Sequence, residues 1–257
     1  MHRWLDKVGN KLVILSIILI CLLVSAVYNL ADETLGETER TPQIPTSVLS
    51  GTDRDKIVKV IEDYTVFKKT KGVRFEANPS IYKYLLDRLP LATSIIRGLN
   101  IRNLVITKNK DQSFHFKDGE SIIGDFRLIH KDTRTIVFYC NGQYNGNVIK
   151  KLMGKAVVIV EYREDHKGEA IENVFYIYLK ANNRFVELMI KVFKPLVNMV
   201  IDRKVLSYMY TAREVCERIT KDPGGVYKSI KYSKEVSKNE LEEYRRFFLY
   251  KTIEKRN

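Results

Sequence analysis

The sequence is poor in the residues from which metal centres and disulfide frameworks are built. It has three cysteines among 257 residues, with no CxxC pair and no Cys/His ligand spacing. Cys21 lies in an apolar run, Cys140 in a β-rich segment and Cys216 on an apolar helical stripe. These features exclude a zinc-finger-type site and a disulfide scaffold. We expect the cysteines to act as small apolar residues, and no cofactor is predicted.

Recognisable catalytic motifs are also missing. The sequence has no glycine-rich phosphate loop, no GxSxG and no HExxH. Its four histidines are scattered along the chain, at His2, His115, His130 and His166. A histidine without a patterned carboxylate neighbour is more often structural or exposed than catalytic. The sequence therefore does not favour an enzyme, and it predicts no catalytic residue and no metal ligand.

Long apolar runs are scarce, and the one present covers residues 12–30 (LVILSIILICLLVSAVYNL). Its length is close to the roughly twenty residues that a helix needs to cross the hydrocarbon core. Basic residues dominate before the run and acidic residues after it, a bias that places the N-terminus in the cytoplasm. We therefore predict a cytoplasmic basic tail at residues 1–11 and a single-pass transmembrane anchor at residues 12–31. The remaining chain is expected outside the cytoplasm, in the periplasm if the cell is Gram-negative.

A cleaved signal peptide is the alternative interpretation of the same run. Val24, Ser25 and Ala26 offer small residues at the positions that a signal peptidase inspects. Because the apolar run continues to Leu30, retention as a cell-membrane anchor is favoured. Cleavage after Ala26 would instead give a secreted protein.

The charge balance of the chain indicates which kinds of partner it attracts. The chain has 44 basic and 31 acidic side chains, a formal excess of thirteen, and most of that excess lies after the apolar run. Such a surface attracts anionic lipid headgroups as well as nucleic acid, although dispersed lysines also serve solubility alone. No nucleic-acid motif is present and the predicted topology removes the domain from the cytoplasm, so the predicted partner is the membrane lipid bilayer and not nucleic acid.

The residues after the run divide into a linker and a first group of short elements. Residues 32–52 are acidic and then rich in Pro, Thr and Ser, which is typical of an extended linker. A helix is predicted from residue 53 to about residue 69, followed by one strand at residues 72–77. Asn78 is placed to cap a helical stretch, which Pro90 should split into two short helices.

The pattern changes to strands between residues 101 and 181. Six runs alternate or are β-branched: NLVITK, SFHFK, IIGDFRLIH, RTIVFYC, KAVVIVEYR and NVFYIYLKA. Dipeptides such as Asp118-Gly119, Asn141-Gly142 and Lys167-Gly168 mark the predicted turns. The short connections predict an antiparallel meander. Two runs are apolar on both faces, so we expect them at the centre of the sheet with a cover on each side.

A long amphipathic helix is predicted from about residue 183 to residue 219, with a bend at Pro195. Charges recur too often in it for a second membrane span. The tail at residues 221–257 predicts one further amphipathic helix with a basic end. That helix either docks on the domain or lies on a membrane surface.

This order of elements resembles the helix-grip fold of the START-like (SRPBCC) superfamily, over about residues 72–220. Tyr82, Leu85, Leu86 and Asp87 match the "aromatic, x, x, Leu, x, Asp" pattern of that family's first helix. Many members have a tryptophan after the second helix, whereas the single tryptophan here is Trp4. The expected fold is α+β, with a helix-grip-like curved antiparallel sheet of about six or seven strands around a long C-terminal helix, preceded by the transmembrane helix. The expected domain, with its leading helix, spans residues 53–220.

The resemblance implies an apolar cavity between the sheet and the long helix. The residues expected to line it are Phe126, Val137, Val158, Phe175, Phe185, Met189, Val192, Phe193 and Leu196, with Tyr162 and Arg163 at a ligand headgroup. The alternative is that these side chains pack on one another as a filled core. The favoured function is a membrane-anchored binding or transfer protein for a lipid or other apolar small molecule. The alternatives are an anchored module that binds a protein partner and, less favoured, a cavity enzyme of the START-like type.

Overall fold

The computed structural model describes residues 51–146 and 151–250. The predicted tail and anchor, and nearly all of the predicted linker, lie outside the described residues. The elements in chain order are α1 (Gly51–Glu62), β1 (Val66–Lys69), β2 (Val73–Glu76), α2 (Pro79–Asp87), α3 (Leu89–Gly98), β3 (Val105–Lys108), β4 (Phe114–Lys117), β5 (Ile122–Lys131), β6 (Thr135–Tyr144), β7 (Leu152–Glu164), β8 (Ala170–Ala181), α4 (Arg184–Val192), α5 (Lys194–Lys221), α6 (Pro223–Ile230) and α7 (Lys238–Tyr244), then a π-helical turn at Arg245–Tyr250. Within these ranges, no helix has both the length and the apolar character that crossing a bilayer requires.

The strands form one antiparallel sheet of eight strands in the order β1-β8-β7-β6-β5-β4-β3. Strands β3 to β7 each pair with the next strand in the chain, and β2 pairs with β8 beyond the end of β1. The predicted α+β class, the antiparallel meander and the long helix after the last strand are therefore confirmed. The sheet has more strands than predicted because β1 was not expected.

Two local predictions were wrong. The first helix ends at Glu62, and Val66–Lys69, predicted to be helical, form β1 against β8. A β-branched valine beside an aromatic residue favours a strand once a neighbouring strand is available. Asn141-Gly142 is not a turn but lies inside β6, where Gly142 pairs with Gly124 and Gly154.

Helix α1 covers the outer face of the sheet, defined here as the face that carries Val137, Val157 and Ile159. These three side chains have at most 1 % of their surface exposed. The cover is provided by α1, which contacts β7 and β8 and has its own Ile57 fully buried. The expectation that the central strands are covered on both sides is confirmed.

Helix α5 packs on the opposite face, which we call the helix face. Two separate apolar clusters lie there. The larger joins the helix face to α2, α3, α6, α7 and the second half of α5, through residues such as Ile95 and Ile219. The smaller joins Val66 and Ala181 to Ile190 and Val197, at α4 and the start of α5.

The C-terminal tail docks on the domain, the first of its two predicted alternatives. Tyr244 of α7 and Phe248 of the π-helical turn are both buried in the larger cluster. Ser237 caps α7: its hydroxyl accepts from the Glu240 N–H, and the Glu240 carboxylate accepts in return from the Ser237 N–H. This mutual capping fixes the point at which the tail turns back onto the domain.

The predicted long helix is divided into α4 and α5. Asn183 caps α4, as its side-chain oxygen accepts from the Val186 N–H at 2.8 Å. The chain then leaves helical geometry around Phe193, and Pro195 lies in the first turn of α5. The predicted bend at Pro195 is therefore confirmed as a break, because proline is tolerated at the start of a helix but not inside it.

Candidate ligand-binding site

The two faces of the central strands differ in how deeply their apolar side chains are buried. On the outer face, the apolar side chains near α1 are buried, namely Val137, Val157, Ile159, Tyr176 and Tyr178, whereas Lys155 and Arg163 at the two ends of β7 are exposed. On the helix face several apolar side chains of the same strands remain only half-buried although α5 lies over them. These residues are Phe138, Cys140, Ala156, Val158, Phe175 and Leu179. These side chains therefore keep part of their surface accessible, whereas Ile136, Val160 and Ile177 on the same face are buried.

Small residues line part of the region between the sheet and α5. Gly124, Gly142 and Gly154 lie side by side across β5, β6 and β7, and the neighbouring row carries Cys140 and Ala156. A Cβ at Gly124 would lie 2.6 Å from the Asn141 carbonyl oxygen and 2.7 Å from the Gly142 Cα. The backbones of β5 and β6 therefore approach each other too closely here for a larger side chain at position 124. The small residues of the two rows occupy little volume on the helix face.

Aromatic rings border the space on one side. Phe114 stacks on Phe126 with ring centres 5.1 Å apart, and Phe126 meets Phe138 edge-on at 5.5 Å. This ladder crosses β4, β5 and β6 on the helix face, and all three rings are half-buried. Aromatic side chains present a large apolar surface. The ladder is thus suited to contact an apolar molecule.

Two buried polar atoms on this side of the sheet have no hydrogen-bond partner among the described residues. They are Oδ1 of Asn198 and Nδ2 of Asn173. Asn198 lies two turns before Val205 on the sheet-facing stripe of α5. Burying an unpaired amide atom costs free energy, so such atoms in a native protein call for a ligand or water partner.

Asn173 belongs to a buried polar group at the far end of the helix face. The Tyr82 hydroxyl donates to Asn173 Oδ1 at 2.7 Å, and the Tyr82 ring meets that of Tyr162 edge-on at 6.2 Å. Burial is the main cause that raises the pKa of the Tyr82 phenol, so this hydroxyl remains a donor at physiological pH.

An ion-pair network fastens α5 to the turn between β4 and β5. The Asp118 side chain is buried; its Oδ1 accepts from the three backbone N–H groups of residues 120–122 at 2.7–2.9 Å. Its Oδ2 accepts from Lys204 Nζ at 2.6 Å and from the Tyr208 hydroxyl at 3.2 Å. Because Lys204 and Tyr208 are on α5, this carboxylate sets how far the helix lies from that end of the sheet.

Arg102 and Glu120 complete the network. The Arg102 guanidinium donates to Glu120 at 2.9 Å and to Ser207 of α5, and it lies over the Tyr208 ring, 4.9 Å from its centre. Glu120 also accepts from Lys204 at 2.6 Å. Both cations are therefore paired, which makes the network a structural clamp rather than an open anion site.

The network makes stability depend on pH. Burial alone would raise the pKa of Asp118, but the Lys204 ammonium and the three backbone donors outweigh it and lower the pKa to about 2. A carboxylate with a lowered pKa contributes stability that is present above its unfolded pKa and is lost as the pH falls towards the folded one. Relative to the ordinary value of 3.8, the contribution is on the order of 2 kcal/mol.

We therefore expect wild type to lose about 1.5 kcal/mol more than Asp118→Asn when urea unfolding is measured at pH 5 and then at pH 2.5, because at pH 2.5 the folded carboxyl is still largely ionised. The comparison with the variant removes the effect of the other carboxylates that titrate in this range. Parallel losses in the two proteins would show that Asp118 is not the group responsible.

The sheet residues of the predicted site are only partly brought together. Phe126, Val158 and Phe175 lie on the helix face, as predicted. Val137 does not, since it is fully buried on the outer face, one residue out of phase with Phe138. Tyr162 is on the helix face but buried beside Tyr82.

The remaining predicted residues lie elsewhere. Arg163 is exposed and pairs in register with Glu172 on the outer face, away from the space beneath α5. Phe185, Met189 and Val192 are exposed on α4 and do not face the sheet. Phe193 and Leu196 are half-buried at the junction of α4 and α5. The break between the two helices is the reason, because it interrupts the apolar stripe that the prediction treated as continuous.

Several residues that shape the site were not predicted. Gly142, one of the three glycines in the row, was predicted to lie in a turn. The ion-pair network around Asp118 and the unpaired amide atoms of Asn173 and Asn198 were not predicted. An asparagine next to the apolar run VFYIYL, and another between Val197 and Met199, are the signals in the sequence that point to buried polar groups.

Metal and thiol chemistry have no support in the described residues, in which no group of three His, Cys, Asp or Glu side chains is placed to hold a metal ion. Cys140 and Cys216 are free thiols, and burial raises the pKa of each to about 12. His115 and His130 each pair with an aspartate, at 2.9 Å and 3.2 Å, in exposed positions.

No protein-family model and no curated protein matches the sequence. Among solved structures, the chain is similar to a conserved protein from Geobacillus kaustophilus at 8% identity, with 59% of this chain and 95% of that one covered and a TM-score of 0.41. It is also similar to the hypothetical protein jhp0584 from Helicobacter pylori (9% identity, 71% and 99% covered, TM-score 0.40). A third is XoxI from Bacillus cereus (10% identity, 60% and 98% covered, TM-score 0.37). The description of the fold therefore rests on the strand order and the packing described above.

Proposed function

We propose that this domain binds a lipid or another apolar small molecule between the helix face of the sheet and α5. The observation that carries the proposal is the partial exposure of apolar side chains such as Phe138, Val158 and Leu179 on the helix face, together with the buried, unpaired Oδ1 of Asn198 on α5. A cavity lined by aliphatic and aromatic side chains with few polar groups is the usual form of a site for an apolar ligand. Binding of this kind needs no reactive side chains.

The order of elements supports the finer assignment to the START-like superfamily. One strand (β2) precedes two short helices (α2 and α3), six meander strands follow, and a long helix closes the domain. We propose that the chain is a START-like protein on this ground. With the anchor predicted at residues 12–31, the domain would be held near a bilayer and could take up or deliver a membrane lipid.

The polar atoms suggest where a ligand headgroup would lie. Asn173 Nδ2 is a buried donor without a partner among the described residues, and Asn198 Oδ1 is a buried acceptor in the same state. A ligand with a carbonyl, carboxylate or hydroxyl group could pair with one of them. The predicted headgroup residue Tyr162 lies opposite Asn173 on the neighbouring strand, whereas Arg163 takes no part.

Filling the space should prevent binding. We expect Ala156→Trp to reduce the amount of apolar molecule that co-purifies with the full chain about tenfold, because the indole would occupy the gap beneath α5. Native mass spectrometry of the purified chain, followed by organic extraction and identification of the released molecule, measures this.

The matched control is Lys155→Trp, which places the same side chain one residue away on the exposed outer face. It should leave the bound amount unchanged and so correct for lipid that adheres non-specifically. Equal amounts in the two variants, or none in wild type, would contradict the proposal and favour an interaction module with a filled core.

A further inference from the structure

Helix α4 carries an apolar face that packs on nothing in the described part of the chain. Phe185, Leu188 and Val192 are 73%, 59% and 62% exposed, and Met189 beside them is 37% exposed. Their spacing of three and four residues places them on one side of the helix. The opposite side carries Ile190, which is buried in the smaller cluster. The helix is therefore apolar towards solvent as well as towards the core.

Basic residues border this apolar face. Arg184 and Lys191 are four residues before and three residues after Leu188, so they lie along one edge of it. Lys194 follows at the start of α5. The single acid of α4, Glu187, is paired with Lys191 at 2.6 Å. Three bases against one acid leave two positive charges beside four exposed apolar side chains.

We propose that the apolar face of α4 docks onto the surface of a bilayer that contains anionic lipid. A helix with large apolar side chains on one face and Lys or Arg along its edge is suited to lie in the headgroup region, with the apolar face buried roughly 5–10 Å. Anionic headgroups would pair with Arg184, Lys191 and Lys194. The proposed partner is thus a membrane surface with anionic headgroups and an apolar interior.

Charge argues for a bilayer over a second copy of the chain. Two copies that met through α4 would bring their basic edges together. Because Glu187 is the single acid of α4, the helix has no acidic surface that could pair with the basic residues of a second copy. A bilayer with anionic lipid presents the complementary charge and the apolar phase together.

The position of the apolar run at residues 12–30 is compatible with this docking. Twenty residues separate Leu30 from Gly51, and they span at most about 70 Å when fully extended. A domain of about 200 residues has a radius of gyration of roughly 16 Å. Any side of the domain can therefore reach a bilayer that holds the run. The docking is independent of the interior ligand and extends the proposed function by naming the surface that meets the membrane.

The test uses the full chain with Trp4→Phe, which removes the single native tryptophan. Phe185→Trp places a fluorophore on the apolar face of α4, and the protein is reconstituted into vesicles of phosphatidylcholine and phosphatidylglycerol. We expect a blue-shifted emission and severalfold quenching by lipids brominated along their acyl chains. Vesicles of phosphatidylcholine alone should weaken the quenching.

The matched control is Tyr232→Trp in the same background, since Tyr232 is an 82% exposed aromatic residue in the turn after α6. The tryptophan at position 232 should stay in water and be quenched little. Equal quenching at the two positions overturns the proposal, as does failure of the chain to float with the vesicles. A blue-shifted but unquenched tryptophan at position 185 also overturns it, because a protein surface then covers α4. None of these results changes the ligand capture measured with Ala156→Trp, so the two proposals fail separately.

Discussion

Asp118→Ala is expected to lower the free energy of unfolding by about 3–5 kcal/mol. The side chain of Asp118 is buried, and its removal leaves Lys204 with only Glu120 as a counter-ion. It also leaves the three backbone N–H groups of residues 120–122 without their acceptor. Both losses occur at the point where α5 is fastened to the sheet, so no neighbouring group can replace the carboxylate. Urea unfolding followed by circular dichroism measures the change.

Asp111→Ala is the matched control, because Asp111 is also an aspartate in a strand-connecting turn but is largely exposed. Exposed pairs such as Asp111–Arg127 contribute about 0–1 kcal/mol. A cost for Asp118→Ala no larger than that of the control would show that the clamp does not hold α5 in place.

Ile57→Ala is expected to lower the free energy of unfolding by about 2–5 kcal/mol. Ile57 is the fully buried residue through which α1 covers the outer face. Truncation leaves a cavity beneath α1, over a face of the sheet on which Val137, Val157 and Ile159 are buried. The loss should appear in urea unfolding without loss of the strands' circular dichroism before the transition.

The control on the same helix is Asp55→Ala, two residues before Ile57 and exposed. Its effect should stay within about 0.5 kcal/mol, as is usual for surface substitutions. If Ile57→Ala cost as little, α1 would not be a structural cover of the outer face of the sheet.

Most of the sheet could be predicted from the sequence because its strands carry strong local signals. Alternation placed β4 and β5, and β-branched runs placed β7 and β8, each within a few residues of the observed bounds. The helix cap at Asn78 was visible for the same reason, since capping depends on residues two and three positions away. Predictions of this kind succeed where the determining contacts are close in sequence.

The candidate site was predicted less well. The errors concern which face of a strand or helix a side chain lies on and which strand residues pair. Val137 and Phe138 are adjacent and both apolar, so the sequence does not say which of them faces α5. Asn141-Gly142 has the appearance of a turn, and only the pairing of Gly142 with Gly124 and Gly154 shows that it lies inside a strand. Phe185 and Val192 follow a helical period, but the period does not show that the helix is interrupted at Phe193.

By itself, the sequence determined the element types, the antiparallel meander, the long C-terminal helix and the basic character of the chain. The tertiary structure alone decided that α1 seals one face of the sheet, that α5 leaves the other face partly open, and that α4 turns its apolar side outwards. The physical reason is distance along the chain. The first two features join residues about a hundred positions apart, such as Ile57 with β7 and Asp118 with Lys204, and the pattern within a single element contains no information on which distant partner covers it.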